Sequence, residues 1–377
     1  MSNQPNVTGP DGVSRPYIGG QALIEGVMMR SPRAFTAVVR RKNGELVVRE
    51  RAMADTRKGV KAWPLVRGIV TLVEALKLGS SALRFSADIF EQDLEEAEAA
   101  EKAKGPGILT ALTLPILALL VAEPDEPLGS PRASKGDVKK RLFTALSIGF
   151  ALLLFVALPQ AFAAGTSRVF DLGYDVRSPG FQLLTGAGKL VIIVGYMLLI
   201  RRLPEIYRVF QYHGAEHKSI YAYESGRPLT VENARPMTTL HPRCGTTFLV
   251  MVALVSILVF TGIGPLLPQL GLGKLGDNVA FFVLKLPFLP LIAAVTFEIQ
   301  RVFARYCTRG PLRALLWPGF LVQKITTIEP DDAQLEIALA ALAVAVEAES
   351  ALGDQANDED RTFDSYATLQ RALTAAM

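Results

Sequence analysis

Four apolar stretches limit what this chain can become. Leu142–Ala164, Phe181–Ile200, Thr246–Pro268 and Val279–Ile299 each supply about 20 mainly apolar residues, enough for a helix to cross roughly 30 Å of hydrocarbon. The third carries no charge. The second holds Lys189 and the fourth Lys285, which snorkel to the interface, face a cavity or line a site. Half of the 377 residues are hydrophobic, too many for an ordinary soluble enzyme. The pattern predicts a polytopic α-helical membrane protein with the lipid bilayer as its first partner.

Basic residues orient the spans. Lys135, Lys139, Lys140 and Arg141 precede the first, and Arg201-Arg202 close the second. Arg208, Lys218, Arg227, Arg235 and Arg243 follow before the third, and Arg301, Arg305, Arg309 and Arg313 come after the fourth. The two opposite loops hold only Arg168, Arg177 and Lys274. The bias predicts a multi-pass cell-membrane protein with both termini in the cytoplasm. The net charge of +4 is diffuse, and no basic block is interleaved with aromatics, which speaks against nucleic acid as a partner. Cys244 and Cys307 are too few for a disulfide scaffold. The first 20 residues have no apolar h-region, so no cleavable signal is expected.

Around the spans the chain divides by composition. Residues 1–16 read as a flexible leader. Residues 17–90 read as a small cytoplasmic module containing β structure. In it, 35–41 and 45–51 alternate across Asn43-Gly44, a hairpin signal. Pro64 then starts a helix to about Ile89 that lies on a membrane surface, packs on the hairpin or faces a core. Residues 91–137 read as a charged and Pro-rich insertion. Its apolar segment 108–122, interrupted by Pro115, is too short to span and is read as interfacial or re-entrant. Residues 138–328 form the four-span domain. Residues 329–377 are a cytoplasmic helix and tail, with Glu336, Glu347 and Glu349 as a solvated face.

The chemistry is concentrated in the loop 201–245. All three histidines, His213, His217 and His241, lie there, with Cys244. Pro204 and Gly226 mark the ends of a helix. On it His213, Glu216 and His217 share one face, because positions i, i+3 and i+4 do. His241 and Cys244 follow in the turn His-Pro-Arg-Cys-Gly. Imidazoles with a thiol form a borderline-soft donor set that suits zinc better than magnesium or calcium. The order His-x-x-Glu-His inverts the zinc-protease signature. An i, i+4 histidine pair also arises by chance, and His241-x-x-Cys244 adds specificity. Glu25, between Ile24 and Gly26, either caps a turn or serves a site.

Three phrases, GGQALIEGVMMRSP (19–32), YHGAEHKSIYAYE (212–224) and HPRCGTTF (241–248), resemble those of the YqhQ-like family. That family comprises bacterial membrane proteins with a domain of unknown function, described as metal-dependent enzymes on residues of this kind. The resemblance covers roughly 17–92 and 138–345, adds fold and location more than chemistry, and raises the weight on Glu25.

Two functions compete. In a membrane-bound zinc hydrolase, His213, His217 and His241 bind the metal, Glu216 takes a proton from water, and Arg243 steadies the developing oxyanion. Its substrates are peptide bonds of membrane proteins or lipid-linked esters. In a scaffold or assembly factor, Cys244 is the fourth ligand and closes a structural site. A Cys244/His241 nucleophile pair has poor geometry. A transporter finds no support in internal repeats. Oligomeric state is not legible in the sequence.

Overall fold

The computed structural model describes residues 7–53, 59, 63–100, 146, 149–150, 153–268, 270–271, 273–307, 310–350 and 360–376. Strands β1 (Val7–Thr8) and β2 (Ser14–Arg15) pair within the expected leader. Strands β3 (Gly19–Leu23), β4 (Gly26–Arg30), β5 (Ala34–Arg40) and β6 (Leu46–Ala52) follow as an antiparallel meander. The expected β5–β6 hairpin is present, with Phe35 opposite Arg51 and Arg40 opposite Leu46. Its turn is looser than an Asn-Gly pair alone implies. Only Gly44 is left-handed, at φ 93°, while the Asn43 carboxamide oxygen accepts the Glu45 N–H at 3.0 Å. The β3–β4 turn is tighter, with only Ile24 and Glu25 between the paired Leu23 and Gly26, and Glu25 takes φ 51°.

Helix α1 (Val66–Ala100) runs past the expected end at Ile89 and takes in the first part of the charged run. The rest of the insertion, with the apolar segment 108–122, lies outside the described residues. Helix α2 (Leu158–Val169) is followed by α3 (Pro179–Ile200), whose N-terminus is capped by the Ser178 hydroxyl accepting the Phe181 N–H at 3.2 Å. Next come α4 (Pro204–Glu224), a single turn α5 (Val231–Ala234), and α6 (Gly245–Ile263). Then follow α7 (Gly273–Lys285), α8 (Phe288–Tyr306), α9 (Trp317–Thr326) and α10 (Asp332–Ser350). Strand β7 (Arg361–Phe363) and helix α11 (Tyr366–Ala376) close the chain.

Among the described residues, two helices are long and apolar enough to cross a membrane, Pro179–Ile200 and Gly245–Leu266. A third counts if Val279–Lys285 and Phe288–Tyr306, bent by 43°, form one span. This is fewer than the four expected. Much of Leu142–Ala164 before Leu153 lies outside the described residues, and the apolar helix found there, Leu153–Val169, is short. The fourth stretch bends at Leu286-Pro287, where proline interrupts the helical ladder.

The sheet is completed from the far end of the chain. β7 pairs with β6, placing Phe363 opposite Leu46, so the order is β3-β4-β5-β6-β7. Period-2 alternation gives the sheet two buried faces. Val27, Met29, Val38, Leu46 and Val48 pack on α10 through Leu335, Ala338 and Leu342. Leu23, Met28, Phe35, Ala37 and Val39 pack on α1 through Ala82, Phe85 and Ile89. Helix α10 is therefore a core element, and its expected solvated face is largely engaged. Glu349 is buried, accepting from the Ser31 hydroxyl at 2.7 Å and the Arg33 N–H at 2.9 Å, and Glu336 pairs with Arg40 at 2.9 Å.

Candidate functional site

Helix α4 begins at Pro204 and is stopped just past Glu224 by Gly226, which adopts φ 70° while Arg227 N–H closes back on the Ala222 carbonyl at 3.1 Å. One turn apart on it, the His213 and His217 rings stand 4.6 Å apart between centroids. The turn before α6 brings Cys244 against them, with its Sγ 3.2 Å from His213 Nε2. One donor atom from each of His213, His217 and Cys244 lies within 4.8 Å of the others. Both imidazoles are held by backbone carbonyls. His213 Nδ1 lies 2.9 Å from the Thr326 oxygen, and His217 Nδ1 bonds the Thr239 oxygen. A donor proton on each Nδ1 leaves each Nε2 lone pair free for a metal.

The electrostatics match this assignment. Burial lowers the pKa of His213 and of His217, and brings His241 down to about 4, keeping the imidazoles neutral. Burial opposes ionisation of the Cys244 thiol, but His217 and Thr246 beside it outweigh burial and lower its pKa. The Glu216 carboxyl is pushed up to about 8 by burial, partly offset by His213. Strand β3 crosses directly over it. A Cβ on Gly20 would fall 2.7 to 2.9 Å from Glu216 Cγ, Oε1 and Cδ, so only glycine permits this approach, and the Gly20 N–H faces the carboxylate.

His241 lies at the edge of the cluster, outside the three-donor group, its ring centroid 5.5 Å from that of His217. It packs on Tyr221 at 4.8 Å and stands 3.8 Å from the Glu224 carboxylate. Arg243 is tied to Glu224 and lies over the Tyr17 ring at 4.8 Å. Glu25 reaches a different part of α4, accepting from Arg208 at 2.5 Å and from the Tyr212 hydroxyl at 3.2 Å.

A family model described as a protein of unknown function, DUF1385, matches residues 63–348, from just before α1 through most of α10. The chain belongs to the DUF1385 family. Over 329 residues it is 30% identical to the "Uncharacterized protein YqhQ" of Bacillus subtilis (strain 168), covering 86% of this chain and 90% of that protein. No solved structure matches the chain. The DUF1385 match contains every donor of the cluster, whereas Gly20 and Glu25 precede it.

Several residues of this DUF1385 site escape motif reading. Thr239 and Thr326 act through backbone carbonyls, which side-chain identity does not reveal. Gln323, fully buried in α9, accepts the His241 N–H and donates to the His241 carbonyl, each at 2.7 Å, fixing the turn. A glutamine within the apolar run 311–328 was the available signal. Tyr221 and Glu224 extend the histidine face at helical spacing.

Proposed function

We propose that this DUF1385 protein is a membrane-bound, zinc-dependent hydrolase with its centre on the cytoplasmic side. The observation that carries the reading is the convergence of three donors, His213, His217 and Cys244, beside a buried carboxyl. Three protein donors leave a position open, as in catalytic rather than structural zinc sites. The donor set fits zinc, since both imidazoles have their Nδ1 anchored and the thiol is inclined to ionise. Zinc held by these residues supplies a Lewis acid that lowers the pKa of water to about 7 and polarises a carbonyl. Glu216 then exchanges a proton at its carboxyl oxygen, oriented by the Gly20 N–H above it. Arg243 meets a developing oxyanion only after parting from Glu224. Amide bonds of membrane proteins or esters of lipid-linked molecules are the substrates that this location offers.

The reading includes four crossings, both termini cytoplasmic, and parity supports it. The sheet touches α4 through Glu25 and Arg208, and the Tyr223 hydroxyl donates to the Pro16 carbonyl at 3.3 Å, so both lie on one side of a membrane. If α3 crosses, a second crossing must precede it, and the Leu153–Val169 region is the apolar candidate. His213 also touches Thr326, so α6 needs a returning partner, which the bent α7–α8 pair supplies.

One observation favours a second reading, a structural zinc brace in a scaffold. His217, Glu216, His241 and Cys244 are all at most 6% exposed, and a closed site needs little access. One substitution separates the readings, because Cys244→Ser removes a donor in both. In a hydrolase, Glu216→Gln keeps zinc and thermal stability but loses complementation of a deletion strain. In a brace, Glu216→Gln keeps zinc and complements. Full complementation by Glu216→Gln ends the hydrolase reading.

A further inference from the structure

A cavity of about 730 Å³ opens where α3 ends and α4 begins, lined by Leu198, Arg201, Arg202, Pro204, Tyr207 and Arg208. Its charge is one-sided. Three arginines are among its lining residues, and the one acid paired with any of them among the described residues is Glu25, which takes Arg208. Glu205, in the first turn of α4, is not part of the lining. Arg201 donates to the Lys324 backbone carbonyl at 3.3 Å, which leaves its charge uncompensated. Arg202 and the Tyr207 hydroxyl have no side-chain partner among the described residues. Planar guanidinium groups beside a phenol hydroxyl form a donor set for a phosphodiester oxygen.

The apolar wall identifies what else the ligand carries. On α3, Leu183, Ala187, Val191, Gly195 and Leu198 are all exposed and recur every three or four residues, so they form one stripe. The stripe runs down to Arg202 and into the cavity. At Gly195 a Cβ would meet nothing within 4 Å, which leaves a notch in it. The neighbouring helix α9 places exposed Trp317 beside Lys324, the pairing of an aromatic and a cation found at a membrane–water boundary. An anionic head in the cavity and an acyl chain along the stripe satisfy both walls at once.

We infer that this cavity binds the phosphate of an anionic phospholipid whose acyl chain lies along α3. The inference rests on α3 lying in the membrane. A lipid held there contacts Arg208, and through the Arg208–Glu25–Tyr212 network the helix turn that carries His213. Basic pockets beside membrane helices recognise such headgroups by the same chemistry.

Cell fractionation of the full-length protein comes first. Recovery in the soluble fraction without detergent overturns the membrane reading, and the lipid site with it. Protein recovered from membranes is purified in detergent and offered phosphatidylglycerol, phosphatidylcholine or inorganic phosphate, with bound lipid counted by native mass spectrometry. The expected result is one phosphatidylglycerol retained, with at least about a tenfold preference over phosphatidylcholine. The Arg201→Gln/Arg202→Gln double variant should lose about tenfold, the scale of charge-assisted bonds, while Arg168→Gln at the opposite end of the helices does not. Inorganic phosphate should not displace the lipid. Equal binding of the two lipids, or unchanged binding in the double variant, overturns the site. Displacement by inorganic phosphate overturns the lipid assignment in favour of a simple anion pocket. Circular dichroism of the double variant confirms folding, and because both arginines lie at the surface an intact spectrum is expected.

Discussion

Gly214 offers a direct test of how the candidate metal centre is built. It sits on α4 next to His213, with its open side against the strap that joins α9 to α10. A Cβ there would fall inside the envelope of the Ile328 carbonyl oxygen, far closer than the 3.0 Å below which real Cβ atoms essentially never come. It would also lie 3.1 Å from Ile328 C and 3.4 Å from Pro330 Cδ. The obstruction is backbone, and the strap is pinned by Ile328 N–H to the Phe210 carbonyl at 3.0 Å and by Thr327 N–H to the Gln323 carbonyl at 2.7 Å. In Gly214→Ala the strap must retreat by on the order of 1 Å to recover normal contact. Overpacking of this kind costs about 1–3 kcal/mol. Alanine returns about 1 kcal/mol through helix propensity, leaving a net loss of about 0–2 kcal/mol. The strap continues from Thr326, the last residue of α9, whose carbonyl fixes His213, so metal affinity should fall about 10–100-fold. Thermal unfolding and chelator competition on detergent-solubilised protein read the two effects. Gly165→Ala, where a Cβ meets nothing within 4 Å, is the control and should be neutral or stabilising. If Gly214→Ala behaves like that control in both assays, the packing of the strap on α4 is wrong.

Three further outcomes follow from contacts already described. Glu349→Ala removes the acceptor of the Arg33 N–H and guanidinium and returns the Ser31 hydroxyl to the Ala34 carbonyl at 3.3 Å, and should lower unfolding free energy by about 1–2 kcal/mol in denaturant titration. Gly20→Ala forces the Glu216 carboxyl and β3 apart and should lower complementation while the protein still reaches the membrane, checked by blotting membrane fractions. Arg49 beside Asp360 holds that carboxyl below the usual carboxylate range. Its contribution is thus fully present above an ordinary value near 4 and is lost as pH falls through the lower folded value. The protection factors of the Arg361–Phe363 amides, corrected for intrinsic exchange, should fall in that acid window, and Arg49→Gln should remove that fall.

The sequence discloses the local parts of this molecule and hides the long-range ones. Pro204 and Gly226 mark the ends of α4 because proline and left-handed glycine act within a few residues. The alternation of 35–41 and 45–51 sets the hairpin for the same reason. Helical spacing brings His213 and His217 together, and Cys244 joins them through a short turn. Glu349 looks solvated in sequence because a carboxylate on an alanine-rich helix gives no hint of Ser31 and Arg33, more than 300 residues earlier. The role of Gly20 is hidden likewise, since its constraint is a side chain on another element. Glu25 carries weight in sequence, but its partners are Arg208, five residues before His213, and Tyr212, the residue next to it, and none of the three donors.

The β6–β7 pairing has a consequence for the order in which the protein is made. Strands β3 to β6 emerge early, together with α1, which covers one sheet face through Phe85 and Ile89. The other face waits for α10, and the β6 edge waits for β7. Arg49 and Asp360, which clasp that edge, are 311 residues apart. At a synthesis rate of about 5–20 residues per second, the wait is roughly 15 to 60 seconds. During that time Val27, Met29, Val38 and Val48 present an apolar surface and an unpaired edge, while every apolar helix is still being delivered. The first module to be made is therefore the last to be finished. A chain that stops short of α10 carries an open sheet, a template for aggregation, even with its histidines and cysteine complete.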